Sequence, residues 1–186
     1  MPYIQNATDF LLQSIIGFAL YLALLRFWMQ WVRASFRNQF GQFVISLTNP
    51  VIIPLRKVLP NIANVDTATV ALALILAAIK IFAFVSLRGF EPSVFEYLLM
   101  SVGVVIKASV YLFLLAIFVQ IIASWVNPHS QHPILSVARS ISNPIMAPAR
   151  RIIPPIGGLD LSPIVVILFL QLSLRLLVAP ILPLPI

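Results

Sequence analysis

One string of residues is written twice at a constant offset. Asn49-Pro-Val-Ile-Ile-Pro-Leu-Arg-Lys-Val-Leu-Pro60 returns as Asn143-Pro-Ile-Met-Ala-Pro-Ala-Arg-Arg-Ile-Ile-Pro154, each residue 94 positions after its equivalent and without a gap. Trp31 and Trp125 precede the two copies, and Asp66 and Asp160 follow them, at the same spacing. A duplication this regular describes one structural unit used twice. The chain therefore divides into residues 1–93 and 94–186. Each unit is a long hydrophobic segment, a basic proline-rich loop and a second hydrophobic segment.

The flanking segments decide the environment. A helix needs about 20 apolar residues to cross the hydrocarbon core of a bilayer. Four stretches qualify, from about Phe10 to Val32, Thr67 to Leu87, Tyr97 to Val126 and Ser162 to Val178. Only 9% of the residues are charged and 61% are hydrophobic. A soluble domain carries about 25% charged residues, so this chain cannot clothe a water-facing surface. The third stretch is long enough to tilt, and the fourth is short and runs into Pro180, Pro183 and Pro185. Nothing alternates like a strand. The segment Met1 to Asp9 has no basic leader and no small-residue cleavage pattern, so the first stretch is read as a retained helix.

Cations sort to one side of this arrangement. Arg26, Arg33, Arg37, Arg56, Lys57, Arg139, Arg150 and Arg151 flank or occupy the two long loops, whereas the other side has Arg88 beside Asp9, Glu91 and Glu96. The positive-inside rule then places loops 33–66 and 127–161 in the cytoplasm and both termini outside, in the periplasm of a bacterial inner membrane. Two crossings per unit make the repeats parallel. The expectation is an all-α membrane protein with four transmembrane helices in two parallel repeats, each carrying a cytoplasmic amphipathic helix and a proline-rich elbow.

The amphipathic stripe consists of Phe36, Phe40, Phe43, Val44 and Leu47, spaced for one helix face, with Ile134, Val137, Ala138 and Ile141 in the second copy. It suits the headgroup layer, or packing against the bundle. Asn49 and Asn143 read as caps, with Pro50 and Pro144 at the first helical position. Pro54 and Pro148 each remove a donor, and Pro60 and Pro154 stop the turn. Arg56, Lys57, Arg150 and Arg151 end that elbow, where they anchor the loop or recognise anionic headgroups or a partner. Asp66 and Asp160 cap the following helix or pair with the arginine of the same loop.

Lys80, Lys107 and Arg175 fall inside the apolar stretches. Ionisable groups at membrane depth are costly and mark function, unless they snorkel to the headgroups. If the three converge near Gln13 and Gln171, they form a cationic pocket for an anion, a lipid head or a carboxylate. Cysteine is absent, and His129 and His132 cannot complete a metal site by themselves. No phosphate loop, nucleophile elbow or zinc-protease motif is present, so no enzyme, metal or cofactor is expected. Without a basic-aromatic interleaving, nucleic acid is not an expected partner. The expected partners are the bilayer with its anionic headgroups, a membrane protein, or further copies of this chain.

The pattern Leu25-Arg26-x-x-x-x-Trp31, Asn49-Pro-x-x-x-Pro-Leu-Arg56 and Asp66 recurs as Ser124-Trp125, Asn143-Pro144, Pro148-x-Arg150-Arg151 and Gly157-Gly-Leu-Asp-Leu-Ser-Pro163. It resembles the YggT family of bacterial inner-membrane proteins, with YlmG-type relatives in Gram-positive bacteria and plastids. Copy one departs by having Ala63-Asn64 for the glycine pair and Thr69 for Pro163. The resemblance implies a link with osmotic-shock tolerance and potassium uptake. For plastid relatives it implies cytochrome b6f haem maturation and nucleoid distribution, and for YlmG an association with cell-division genes. It supplies no catalytic residue. A membrane scaffold or assembly factor in osmotic or ionic stress tolerance accommodates these links. An ion transporter or channel, or a cytochrome and haem assembly factor, is the alternative.

Overall fold

The computed structural model describes residues 2–62, 65–88, 91–127, 130–153 and 160–182. Pro154, Ala63-Asn64, His129, Gly157-Gly158, Pro183 and Pro185 lie outside them. Six α-helices follow in order: α1 (Pro2–Trp31), α2 (Gln39–Val58), α3 (Thr67–Arg88), α4 (Val94–Val126), α5 (Pro133–Ile152) and α6 (Ser162–Ser173). The last passes into a π-helical turn, Leu174–Val178, in which the Ala179 amide reaches back to the Leu174 carbonyl at 2.9 Å. Among the described residues the strand-like pairing is a single bridge between Ile62 and Val65. The two copies of the unit give the same helix, since α2 and α5 begin and end at residues 94 apart.

Three helices are long and apolar enough to cross a membrane, within α1 (Ala7–Trp31), α3 (Thr67–Ser86) and α4 (Val94–Val126). The fourth apolar stretch, Ser162–Val178, is shorter. At 1.5 Å per residue it spans roughly 25 Å. The long three pack on one another, with α3 lying along α1 and also against α4. Small side chains make the approach close: Ala23, Ala68 and Ala77 are fully buried and Ala73 nearly so. In lipid there is little hydrophobic drive between helices, so such close packing and a few polar contacts hold the bundle. The Trp28 indole donates to Ser109 Oγ at 3.1 Å and its ring meets Phe113 edge-on at 4.6 Å, joining α1 to α4. The Tyr97 hydroxyl donates to the Ala78 carbonyl, joining α4 to α3. In contrast α6 touches α4 and α5, and it leaves Ile164, Leu168, Phe169 and Leu172 exposed.

Neither elbow is a separate turn. Asn49, Pro50 and Pro54 lie inside the continuous helix α2, and Asn143, Pro144 and Pro148 inside α5. The cap of α2 is Asn38, whose side chain accepts from the Gly41 amide at 2.7 Å, and that of α5 is His132. Proline inside a helix costs a backbone bond and a steric clash, roughly 3 kcal/mol. Two circumstances offset this here. All four prolines are exposed, so carbonyls deprived of an amide can meet other donors. The opposite face buries Val44, Thr48 and Ile52 in copy one and Ile141, Ser142 and Met146 in copy two. The expected stripe is correspondingly split: Val44 is buried, Phe36 and Phe40 are half-buried, and Phe43 and Leu47 are exposed. Helix α2 stops at Val58, before Pro60, whose missing amide and steric demand force Leu59 into an extended conformation.

Candidate functional site

At the basic end of the bundle each copy brings the end of α2 or α5 against the residue that leads into the next helix. In copy one the Arg56 guanidinium grips Asp66 with two bonds, Nη2 to Oδ2 at 2.5 Å and Nε to Oδ1 at 3.3 Å. Thr69 Oγ1 adds a third at 2.6 Å. The Asp66 side chain is 1% exposed and that of Arg56 36%. In copy two Arg150 meets Asp160 through one bond, Nε to Oδ2 at 3.0 Å, and both side chains are more than 40% exposed. Asp160 also accepts from the Ser162 amide at 2.9 Å, so it primes the start of α6 while holding the arginine. Lys57 and Arg151, next to the paired arginines, are exposed. So are Pro60, whose carbonyl accepts from Thr67 Oγ1 at 2.8 Å, and Asn143.

A second pair of equivalents also differs between the copies. Arg26 of α1 is buried and donates to Thr48 Oγ1 at 2.6 Å and Asn49 Oδ1 at 2.8 Å on α2. Its equivalent 94 residues on is Gln120. Gln120 donates to Ser142 Oγ, the equivalent of Thr48, and to the Ala138 carbonyl at 3.3 Å. The shorter amide reaches the helix but does not fill the space beyond it. A cavity of about 510 Å³ remains between α4, α5 and α6, lined by Gln120, Ser124, Arg139, Arg150 and Asp160 among apolar neighbours. That volume falls in the range of small-molecule sites, roughly 300–1,000 Å³. Arg26 and its role against Asn49 were not expected from the sequence. The available signal was that positions 26 and 120 are both polar within apolar stretches.

The electrostatics follow the geometry. Burial by itself pushes the Asp66 carboxyl up, but the hydrogen bonds from Arg56 and Thr69 and the arginine's charge outweigh it, and the group sits below the usual carboxylate range. The same balance, with Ser162 and Arg150 as partners, lowers Asp160. The Arg56 guanidinium is raised by its bond to Asp66. A depressed carboxylate stabilises the fold above its unfolded value, about 3.9, and that stability is lost as pH falls through the lower folded value. Acid titration of the purified protein should therefore show stability flat above roughly pH 5 and falling below about pH 4. The fall should be shallower in Asp66→Asn, and an unchanged acid limb in that variant would remove the assignment.

Of the three cations expected to converge at membrane depth, two do. Lys80 and Lys107 line one cavity of about 250 Å³ between α1, α3 and α4. Gln13 lies nearby, its amide donating to the Lys80 carbonyl at 3.3 Å. Arg175 is exposed on the π-helical turn and does not line this cavity, and Gln171 is exposed likewise. The cause is the packing of α6, which touches α4 and α5 rather than α3. Among the described residues no group of three or more His, Asp or Glu side chains could hold a metal ion.

The helices and the paired sites define an all-helical, two-repeat protein with three helices suited to crossing a membrane. The chain belongs to the CCB3/YggT family, whose model matches residues 5–87 and again 99–181, one match per copy. It is 36% identical to an uncharacterized protein in the proC 3′ region of Vibrio alginolyticus, over 91% of this chain and 92% of that one. It is 34% identical to the uncharacterized protein YggT of Escherichia coli K12, over 89% of this chain and 86% of the relative. A third relative, the uncharacterized protein PA0392 of Pseudomonas aeruginosa, is 33% identical over 91% and 87% of the two chains. No solved structure matches the chain significantly.

Proposed function

We propose that this protein is a bacterial inner-membrane scaffold or assembly factor that supports osmotic and ionic stress tolerance by docking a partner at its basic end. On this reading Ser162–Val178 is the fourth crossing, the basic ends of α2 and α5 face the cytoplasm, and the termini face the periplasm. The observation that carries it is the inequality of the two Arg–Asp pairs. Copy one is closed, with its carboxylate buried under Arg56 and Thr69. Copy two presents the same pair open, at the edge of a 510 Å³ cavity with Arg139 beside it. A duplicated brace that is sealed in one copy and accessible in the other is suited to holding the fold with the first and a partner with the second. An acidic segment of a membrane protein fits the charge, because Arg150 and the exposed Arg151 outnumber Asp160 there.

The reading is tested by placing a photocrosslinking residue at Arg151 and, separately, at Lys57, in native membranes. A discrete partner is expected from position 151, with at least several-fold lower yield from position 57. Equal capture at both, or bulk lipid and self-contacts alone, would sink the proposal.

A further inference from the structure

One cavity carries the same positions of both repeats on its walls. It measures about 480 Å³, lies where α1, α2, α4 and α5 meet, and is almost wholly apolar. Helix α1 contributes Phe18, Tyr21, Leu22 and Leu25, and α4 contributes their equivalents 94 positions on, Leu112, Leu115, Ala116 and Val119. Phe40 and Phe43 of α2 stand in the same relation to Ile134 and Val137 of α5. In every one of these pairs the first copy has the larger side chain.

The helices around the cavity do not close alike. Helix α5 touches α1, and its Val137 and Ile141 are buried. The repeat equivalent of that contact is α2 on α4, and it is not made. No Cα of α2 lies within 8 Å of a Cα of α4, and Phe43, Leu47 and Leu115 are exposed. The sizes of the side chains nevertheless fit such a contact. The contact between α5 and α1 sets smaller side chains on α5 against larger ones on α1, and α2 on α4 would set larger ones against smaller. The two contacts would then hold similar total volume, which is the condition under which packing tolerates exchanges of size. In lipid there is little hydrophobic drive between helices, so packing of this kind decides whether they meet. The first half of α2 also has a place to bend. Arg26 holds Thr48 and Asn49, and Pro50 and Pro54 interrupt the backbone ladder just beyond.

We infer that the arm of α2 from Gln39 to Leu47 has a second resting position, packed on α4 as α5 packs on α1, and that the cavity is the room in which it swings. Closing brings Phe40 and Phe43 over Ala116 and covers faces of α2 and α4 that are now exposed. The open and closed arms are two states of one chain, separated by packing at this gap. The swing stands apart from the docking of a partner at the basic end and does not depend on it.

The test exploits the absence of cysteine from the chain. A disulfide needs Cα atoms within about 7 Å, so α2 and α4 can be joined by one only if the arm closes. The full chain in nanodiscs is given Phe40→Cys or Phe43→Cys together with Leu115→Cys or Val119→Cys. The repeat equivalents, Ile134→Cys or Val137→Cys with Tyr21→Cys or Leu25→Cys, report the α5–α1 contact. Mild oxidation should join α2 to α4 in most of the chains, more slowly than α5 to α1. Ala116→Trp fills the gap and should slow the α2–α4 disulfide several-fold. Should that variant not fold, Ala116→Leu, which installs the side chain of Leu22, takes its place. Two results would overturn the inference: no α2–α4 disulfide where the α5–α1 disulfide forms, as expected if lipid fills the gap permanently, or an α2–α4 rate indifferent to the filling of the gap. If neither contact oxidises, maleimide labelling of Phe43→Cys decides. It should be several-fold slower with Ala116 intact than with the gap filled, and equal rates would mean that the arm stays open.

Discussion

Asp66→Asn is expected to destabilise the protein by about 3 kcal/mol, and the equivalent change Asp160→Asn by under about 1 kcal/mol. The residues are repeat equivalents, and each pairs with the arginine ten positions before it. Their surroundings separate them. Asp66 is almost fully buried and accepts three bonds, two of them from Arg56, so an amide there turns one acceptor into a donor facing a guanidinium. The Arg56 charge then stays half-buried without its counter-ion. Asp160 and Arg150 are exposed, and water compensates what the mutation removes. Unfolding by SDS titration in mixed micelles reads both changes on one scale. Equal losses would mean that burial of the pair in copy one contributes nothing beyond the contact itself.

The second large effect is expected at Arg26. Its guanidinium is buried and holds Thr48 and Asn49, so it ties α1 to the middle of α2, next to Pro50. Arg26→Leu removes two hydrogen bonds from a charged donor, each worth about 1.5–3 kcal/mol, while relieving the desolvation of the charge. A net loss of about 2–3 kcal/mol is expected by the same SDS titration. Arg26→Gln, which installs the side chain that copy two carries at this position, should lose about half of that. An Arg26→Leu variant as stable as the parent would show that α2 is held by its apolar face alone.

The 94-residue offset and the long apolar stretches were legible because duplication and hydrophobic length are properties of the chain itself. The all-helical fold and the ends of α3 follow from them, and Pro60 itself signals where α2 stops. The course of α2 and α5 was not legible. Local rules make Asn49-Pro50 a helix start, and only tertiary burial of Val44, Thr48 and Ile52 reverses that preference, carrying the helix through both prolines. The Arg56–Asp66 and Arg150–Asp160 pairs were one of two local readings, and a spacing of ten residues could not choose between pairing and capping. Arg26 against Asn49 joins residues 23 apart through a helix crossing that no local pattern encodes. Lys80 and Lys107 could be brought together from depth alone, since both lie at similar heights on neighbouring helices. Arg175 shares that depth, but which neighbours α6 chooses is a matter of packing.

The placement of α3 and α6 has a consequence for how the two halves can drift in sequence. Helix α3 packs against both α1 and α4, and Ala68, Ala73 and Ala77 are buried there with almost no exposed surface, so larger side chains at these positions would overpack the bundle. Helix α6 occupies the equivalent place in the second repeat and touches α4 and α5, but it leaves Ile164, Leu168 and Phe169 exposed, so these must satisfy hydrophobicity without satisfying shape. The first copy is therefore the half in which a larger side chain is expected to cost more, and the second is the half expected to accept one.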